Sequence, residues 1–145
     1  MEISLMGEAD LSQVAEIEKR IFSIPWSKKA FQDSMESENT IYIVAKEQEK
    51  VLGYAGMYVS FEEGNITNVA VDINARRRSI GRSLIVDILN KGKEKGVTDV
   101  FLEVRETNYA AISLYEKIGF QEAGIRKNFY EKPTENAVVM WKHQL

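Results

Sequence analysis

Glu103, Tyr115 and the arginines at 76, 77, 78 and 82 are the groups in this chain whose types and spacing suit joint chemistry. In Val100-Phe101-Leu102-Glu103-Val104-Arg105, alternation puts Phe101, Glu103 and Arg105 on one face and Val100, Leu102 and Val104 on the other. A carboxylate on a central strand is desolvated, which raises its pKa toward proton exchange near neutrality. The bland reading of the same residue is a structural ion pair with Arg105 or an arginine from elsewhere. Tyr115 follows Asn108 and Ala111 at i, i+3 and i+7, so these residues share one helix face. A tyrosine so placed is ordinarily core, with its hydroxyl satisfied.

The arginines belong to the stretch Asn68 to Leu84, in which Val69-Ala70-Val71 reads as the end of a buried strand. The chain then turns through Asp72 to Ala75, passes Arg76, Arg77 and Arg78, and enters a helical pattern at Ser79 or Ile80. Leu84 and Ile88, and Ile85 and Leu89, recur four apart. A basic loop opening onto a helix start is the layout of an anion site, because the first N–H groups of the helix lack partners. A solvated arginine run is the competing reading. If the helix that carries Tyr115 follows the Glu103 strand directly, a phosphate-bearing ligand, a base and a tyrosine hydroxyl meet at the open ends of two parallel strands.

The elements that must position these groups follow in order. Ile3 and Leu5 mark a short first strand, and Leu11, Val14, Ile17, Glu18 and Ile21 have helical spacing with Asp10 or Ser12 as cap. Pro25 stops that helix, and Ser27 caps a second one through about Met35. Trp26, between them, is either a core plug or the wall of a binding cleft, with core the plainer reading. Ile41–Ala45 and Val51–Val59 read as antiparallel strands, and the turn at Glu62 to Asn65 leads into Ile66–Val71. A helix over 80–95 ends at Gly96, and Val100–Val104 completes a β-α-β crossover with parallel strands. Thr107 or Asn108 caps a last helix ending at Gly119, and Phe120–Phe129 with Ala137–Trp141 form a closing hairpin. The expected fold is α/β (α+β): a mixed, mostly antiparallel sheet with one parallel crossover and flanking helices, in one domain over 1–145.

Composition removes several function classes. The chain has 145 residues, a net charge of −3, no cysteine and a single histidine, His143. A thiol nucleophile is excluded, and a Cys/His metal site is not expected. The acidic balance argues against non-specific binding to nucleic acid or membrane, and against it the arginine cluster points to a local anion. No basic-then-apolar leader and no membrane-length apolar run occurs, so the cytoplasm is the expected location.

The pattern strand–Arg-x-x-small-x-Gly–helix, followed by Leu-Glu-Val-Arg-x-x-Asn-x-x-Ala-x-x-Leu-Tyr-x-x-x-Gly-Phe, resembles the GCN5-related N-acetyltransferases over nearly the whole chain. Phe22-Ser23-Ile24-Pro25-Trp26-Ser27, Thr67 to Val71, and Arg126-x-x-Phe129-Tyr130 are similar to the bacterial branch acting on the N-terminal alanine of a small-subunit ribosomal protein. The resemblance implies acetyl-CoA as cosubstrate, no metal, and a peptide or protein N-terminus as acceptor. It implies that Val69, Ala70 and Val71 offer backbone groups to the pantetheine arm. Arg76, Arg77, Arg78, Ser79, Ile80, Gly81 and Arg82 would form the pyrophosphate loop, and Asn108 would touch the cofactor. Glu103 matches the general base and Tyr115 the general acid.

The chemistry agrees with those roles. An α-amine of pKa about 7.7–8.0 must lose a proton to attack a thioester, and a thiolate leaving group accepts a proton as charge develops on it. An N–H near Val69 is suited to the oxyanion. Trp26, Glu62, Glu63 and Tyr130 are candidate acceptor contacts, on loops expected to flank the other side of the cleft. One departure stands out: Ser79 occupies the first glycine of the phosphate-loop signature, and its Cβ matters if the position needs positive φ. Alternative readings keep the cofactor with a small amine or lysine as acceptor, or keep the fold as a non-catalytic acyl-CoA-binding module.

Overall fold

A computed structural model describes residues 1–145. Its core is a seven-stranded sheet in the order β1-β2-β3-β4-β5-β7-β6. The strands are β1 (Glu2–Leu5), β2 (Thr40–Glu47), β3 (Lys50–Ser60), β4 (Glu63–Val71), β5 (Asp99–Arg105), β6 (Gln121–Tyr130) and β7 (Glu135–Lys142). Every neighbouring pair is antiparallel except β4 with β5. The expected mixed sheet with one parallel crossover is therefore present. What the alternation did not give is that β7, not β6, lies against β5.

Four helices flank the sheet: α1 (Leu11–Ile21), α2 (Lys28–Met35), α3 (Ile80–Glu94) and α4 (Tyr109–Ile118). On one face Leu11, Val14, Ile17 and Phe31 of α1 and α2 pack on Tyr42, Val44, Tyr54 and Ala70. On the other, Ile80, Leu84, Ile85 and Ile88 of α3 and Tyr115 of α4 pack on Ile43, Ala55, Leu102, Val104 and Met140. Local chemistry sets the helix ends. Ser27 Oγ accepts from the Ala30 N–H at 3.1 Å, Asn108 Oδ1 accepts from the Ala111 N–H at 3.3 Å, and Gly119 leaves α4 at φ 113°. No helix is long and apolar enough to cross a membrane.

Two irregularities open the sheet at one level. The parallel pairing of β4 with β5 covers only Glu63–Asp99, Gly64–Val100 and Asn65–Phe101, after which the strands part. On the other edge of β4, Gly56 faces Asn68 while Met57 faces Ile66, so Thr67 is an unpaired extra residue. Such a bulge bends its strand and shifts the side-chain alternation by one. Ile66 consequently points into the α3 core, while Asn68 reaches the α1–α2 face, where its Oδ1 accepts from the Tyr42 and Thr67 hydroxyls at 3.3 and 2.7 Å. Gly56 makes this possible, since a Cβ there would lie 2.3 Å from the Tyr42 ring.

Candidate active site

The gap between the parted strands is a cleft of about 590 Å³. Its floor is Ile66–Val69 of β4 and Leu102–Arg105 of β5, and Asn108 and Tyr115 close one side. Glu18, Phe22, Ile24 and Trp26 form a wall from α1 and the segment after it, and Phe129 to Pro133 form the opposite wall.

Along β4 the backbone groups alternate in direction. The Asp72 N–H donates to Leu52 on β3, whereas the Val71 carbonyl accepts from Arg76 Nε at 3.4 Å on the open edge. Val69 and Val71 therefore direct their backbone groups toward the cleft side, and Ala70 directs its own at Tyr54 of β3. Ala70, expected to serve a ligand, is spent on the sheet instead. Its side chain is buried in the α1–α2 core.

Beyond Val71 the arginine loop leads into α3. Arg77 and Ser79 both sit in the left-handed region, at φ 68° and 60°. The position that the sequence marked as unusual is thus one where a Cβ is unfavourable, by roughly 1–2 kcal/mol. The Ser79 carbonyl is taken by the Ser83 N–H and Oγ, at 3.1 and 3.0 Å. The N–H groups of Ile80, Gly81 and Arg82 precede the first intrahelical bond and have no acceptor in the protein, so they face outward at the positive end of a 15-residue helix. The Ile80 side chain is core, leaving only its backbone for a ligand. Arg76, Arg77, Arg78 and Arg82 are exposed, with Arg78 paired to Glu47. This donor set suits a pyrophosphate, since free N–H groups at the start of α3 lie beside exposed arginines of the loop where β4 ends.

Glu103 and Tyr115 enter the cleft from opposite faces of the sheet. Leu102 and Val104 belong to the α3 core, so Glu103 points to the α1–α2 face with its side chain 14% exposed. Its partner is Arg126 of β6, Nε to Oε2 at 3.5 Å, rather than Arg105. Tyr115 is buried from the α4 side, its hydroxyl makes no hydrogen bond within the protein, and burial pushes its pKa up to about 12. Tyr130 lies between these groups electrostatically. Burial first, then the Glu103 charge, pushes its hydroxyl up to about 12, and Tyr130 in turn raises Tyr115.

Arg105 holds the wall opposite Trp26. Its NH1 donates to the Pro133 carbonyl at 3.0 Å and to Glu135 at 3.1 Å, and its NH2 donates to the Glu131 carbonyl at 3.0 Å. The guanidinium also lies 4.5 Å over the Tyr130 ring. Glu135 accepts from the Thr107 hydroxyl and N–H as well, and these bonds hold its carboxyl below the usual range. Trp26 is cleft wall and not core: it is 38% exposed and leans on Phe31 with ring centroids 5.3 Å apart.

The structure does not bring Glu62 and Glu63 to the cleft. Glu63 starts β4 opposite Asp99, and the Glu62 carbonyl accepts from the Thr98 and Asp99 N–H groups. Both lie at the far end of the strand from the opening, as the direction of β4 requires. The residues that the sequence reading left unassigned are Asn68 and Glu18, buried polar groups on the cleft at 7% and 3% exposure. Glu18 did carry a signal, a carboxylate within an apolar helical stripe.

A sheet parted between parallel strands, with an anion loop at the start of the crossover helix, is the arrangement of an acyl-CoA-dependent transferase. The profile of the acetyltransferase (GNAT) family matches residues 11–120, and the chain belongs to that family. It is 37% identical over 142 residues to the [ribosomal protein bS18]-alanine N-acetyltransferase of Escherichia coli strain K12, covering 95% of this chain and 94% of that protein. The crystal structure of the E. coli ribosomal-protein-S18-alanine N-acetyltransferase superposes with a TM-score of 0.90 at 34% identity, over 99% of this chain and 93% of that one. PaiA N-acetyltransferase from Thermoplasma acidophilum in complex with coenzyme A has the same fold, with a TM-score of 0.80 at 17% identity and 98% coverage of each chain.

Proposed function

We propose that this chain transfers the acetyl group of acetyl-CoA to the α-amine of a protein N-terminus, the acceptor being the N-terminal alanine of a ribosomal protein. The observation that carries the chemistry is the pairing across the gap: a cleft-lining carboxylate on one face of the sheet and an unpartnered tyrosine hydroxyl on the other. Near-complete coverage of a relative with that acceptor in its name supports the substrate.

Acetyl-CoA supplies an activated thioester. The N–H groups of Ile80, Gly81 and Arg82, with the arginine side chains, hold its pyrophosphate. The N–H of Val69 donates to the carbonyl oxygen as negative charge gathers there. Glu103, directly or through a water, takes a proton from the acceptor ammonium, and the free amine attacks. The Tyr115 hydroxyl donates to the departing sulfur and gives up its proton as charge develops there; the thiolate is the weaker base of the two, and the proton that the nitrogen sheds as the amide forms restores the Tyr115 hydroxyl. Burial keeps that proton on Tyr115 throughout the neutral range. With no cysteine in the chain, the amine attacks without a thiol acyl-enzyme.

The test is thiol release from acetyl-CoA in the presence of a peptide beginning Ala-Arg, against a lysine peptide with a blocked N-terminus and a small primary amine. Preference for the free N-terminal peptide, with acetylation at its α-amine, is the expected result. Equal or greater rates with the other acceptors would move the enzyme to a different substrate class.

A further inference from the structure

The segment 22–27 that joins α1 to α2 forms one wall of the cleft, yet its own packing does not secure it. Phe22, Ile24 and Trp26 remain 39%, 53% and 38% exposed. At its ends the Phe22 N–H closes α1 on the Glu18 carbonyl, and Ser27 caps α2. Between them the Trp26 ring leans on Phe31, and the backbone is tied to the body of the fold by a hydrogen bond from the Trp26 N–H to Glu18 Oε2 at 2.9 Å. Glu18 Oε1 accepts from the Tyr54 hydroxyl at 2.5 Å. Tyr54 belongs to β3, is fully buried, and meets Phe31 edge-on at 5.6 Å.

Glu18 is 3% exposed, and no lysine, arginine or histidine pairs with it. A carboxylate buried against neutral donors is costly, and a methylene side chain at this point of the stripe would suit the core better. What the carboxylate provides is a bridge. Its two oxygens connect β3 to the 22–27 segment, and ionised acceptors make the stronger hydrogen bonds.

We propose that Glu18 is a positioning residue for the acceptor: through Tyr54 and the Trp26 N–H it fixes the Ile24–Trp26 wall relative to β3 and so sets the width of the acceptor side of the cleft. The kinetic consequence rests on the reading that the acceptor is a peptide; the position of the wall does not.

Glu18→Ala raises the KM for the acceptor peptide about tenfold, the effect of one buried hydrogen-bonded tie, with kcat within about threefold and acetyl-CoA affinity unchanged. Glu18→Gln restores KM to within about threefold, because its amide oxygen accepts from Trp26 and its NH2 donates to the Tyr54 oxygen. A folded Glu18→Ala protein with unchanged KM overturns the proposal, as does a fall in kcat equal to the rise in KM. A second arm needs no acceptor. In a Trp141→Phe background Trp26 is the remaining tryptophan, and both Glu18→Ala and Tyr54→Phe increase its quenching by acrylamide while Glu18→Gln does not. Tyr54→Phe removes only a hydroxyl and carries the test if Glu18→Ala fails to fold. Unchanged quenching in Tyr54→Phe contradicts the proposal. Altered quenching in a protein that acetylates no peptide leaves this inference standing and removes the acceptor assignment instead.

Discussion

The end of the cleft at α3 and the end between the two walls are built by different means. At α3 the groups on offer are backbone N–H groups fixed by helix geometry, next to Arg77 and Ser79 in positive φ. At the other end, side chains hold backbone: Glu18 grips the Trp26 N–H, and Arg105 grips the Glu131 and Pro133 carbonyls. The first construction offers backbone groups, and Ser79 keeps its N–H there while bearing the cost of a Cβ in the left-handed region. The second depends on a single charged group in each wall. Acceptor selection should accordingly be the more easily altered property, and cofactor binding the more durable one.

Substitutions at the junction of the two ends carry the largest expected effects. Glu103→Gln should lower kcat by about 10²-fold or more with acetyl-CoA affinity nearly intact, the usual scale for losing a positioned base. Single-turnover rates and calorimetric titration with acetyl-CoA check this. Tyr115→Phe should lower kcat by about 10²-fold as well, again without loss of cofactor binding. Unaltered turnover in both would end the acid–base assignment. Tyr115 also makes a pH prediction. Between pH 10 and about 12 the folded protein keeps a proton that the unfolded chain has released, so folding stability falls as pH rises through that window. Urea melts at pH 8 and 10.5 should show a smaller alkaline loss in Tyr115→Phe than in the wild type.

The acceptor end should respond next. Arg105→Ala frees the 131–133 turn and should raise the acceptor KM about tenfold, leaving acetyl-CoA affinity within about twofold. A matching loss of acetyl-CoA affinity would blur the division between the two ends. The smallest effect belongs to Ser79→Gly. Relief of the left-handed strain is offset by the freer unfolded chain, so stability should change by less than about 1 kcal/mol. Acetyl-CoA should bind as tightly or more tightly, and a large loss would assign the serine hydroxyl a role of its own.

The α3 end was legible in the sequence for the reason that makes it durable. Strand, turn, arginines and helix start are contiguous, and caps such as Ser27 and Asn108 act within a few residues of themselves. Alternation in β5 likewise separated Glu103 from Leu102 and Val104. The acceptor end depends on partners far apart in the chain. Glu18 meets Tyr54 across 36 positions, and Arg105 meets Pro133 across 28. Glu103 pairs with Arg126 because β7 runs between β5 and β6, an order that no local pattern encodes. The bulge at Thr67 leaves no compositional trace, since an extra residue in a strand looks like any other. Glu62 and Glu63 were misplaced for a simpler reason. Glu62 lies just before β4 and Glu63 begins it, and the parallel partner opens away from that end, so strand direction alone assigns them to the far end.

Thiol release from acetyl-CoA with an Ala-Arg peptide, measured beside a blocked lysine peptide and a small amine, is the decisive experiment. Rapid release with the free N-terminal peptide alone, abolished by acetylating its α-amine beforehand, is the predicted result. Release that persists with the blocked peptide or the small amine at equal rate would contradict the assignment of this cleft to protein N-termini.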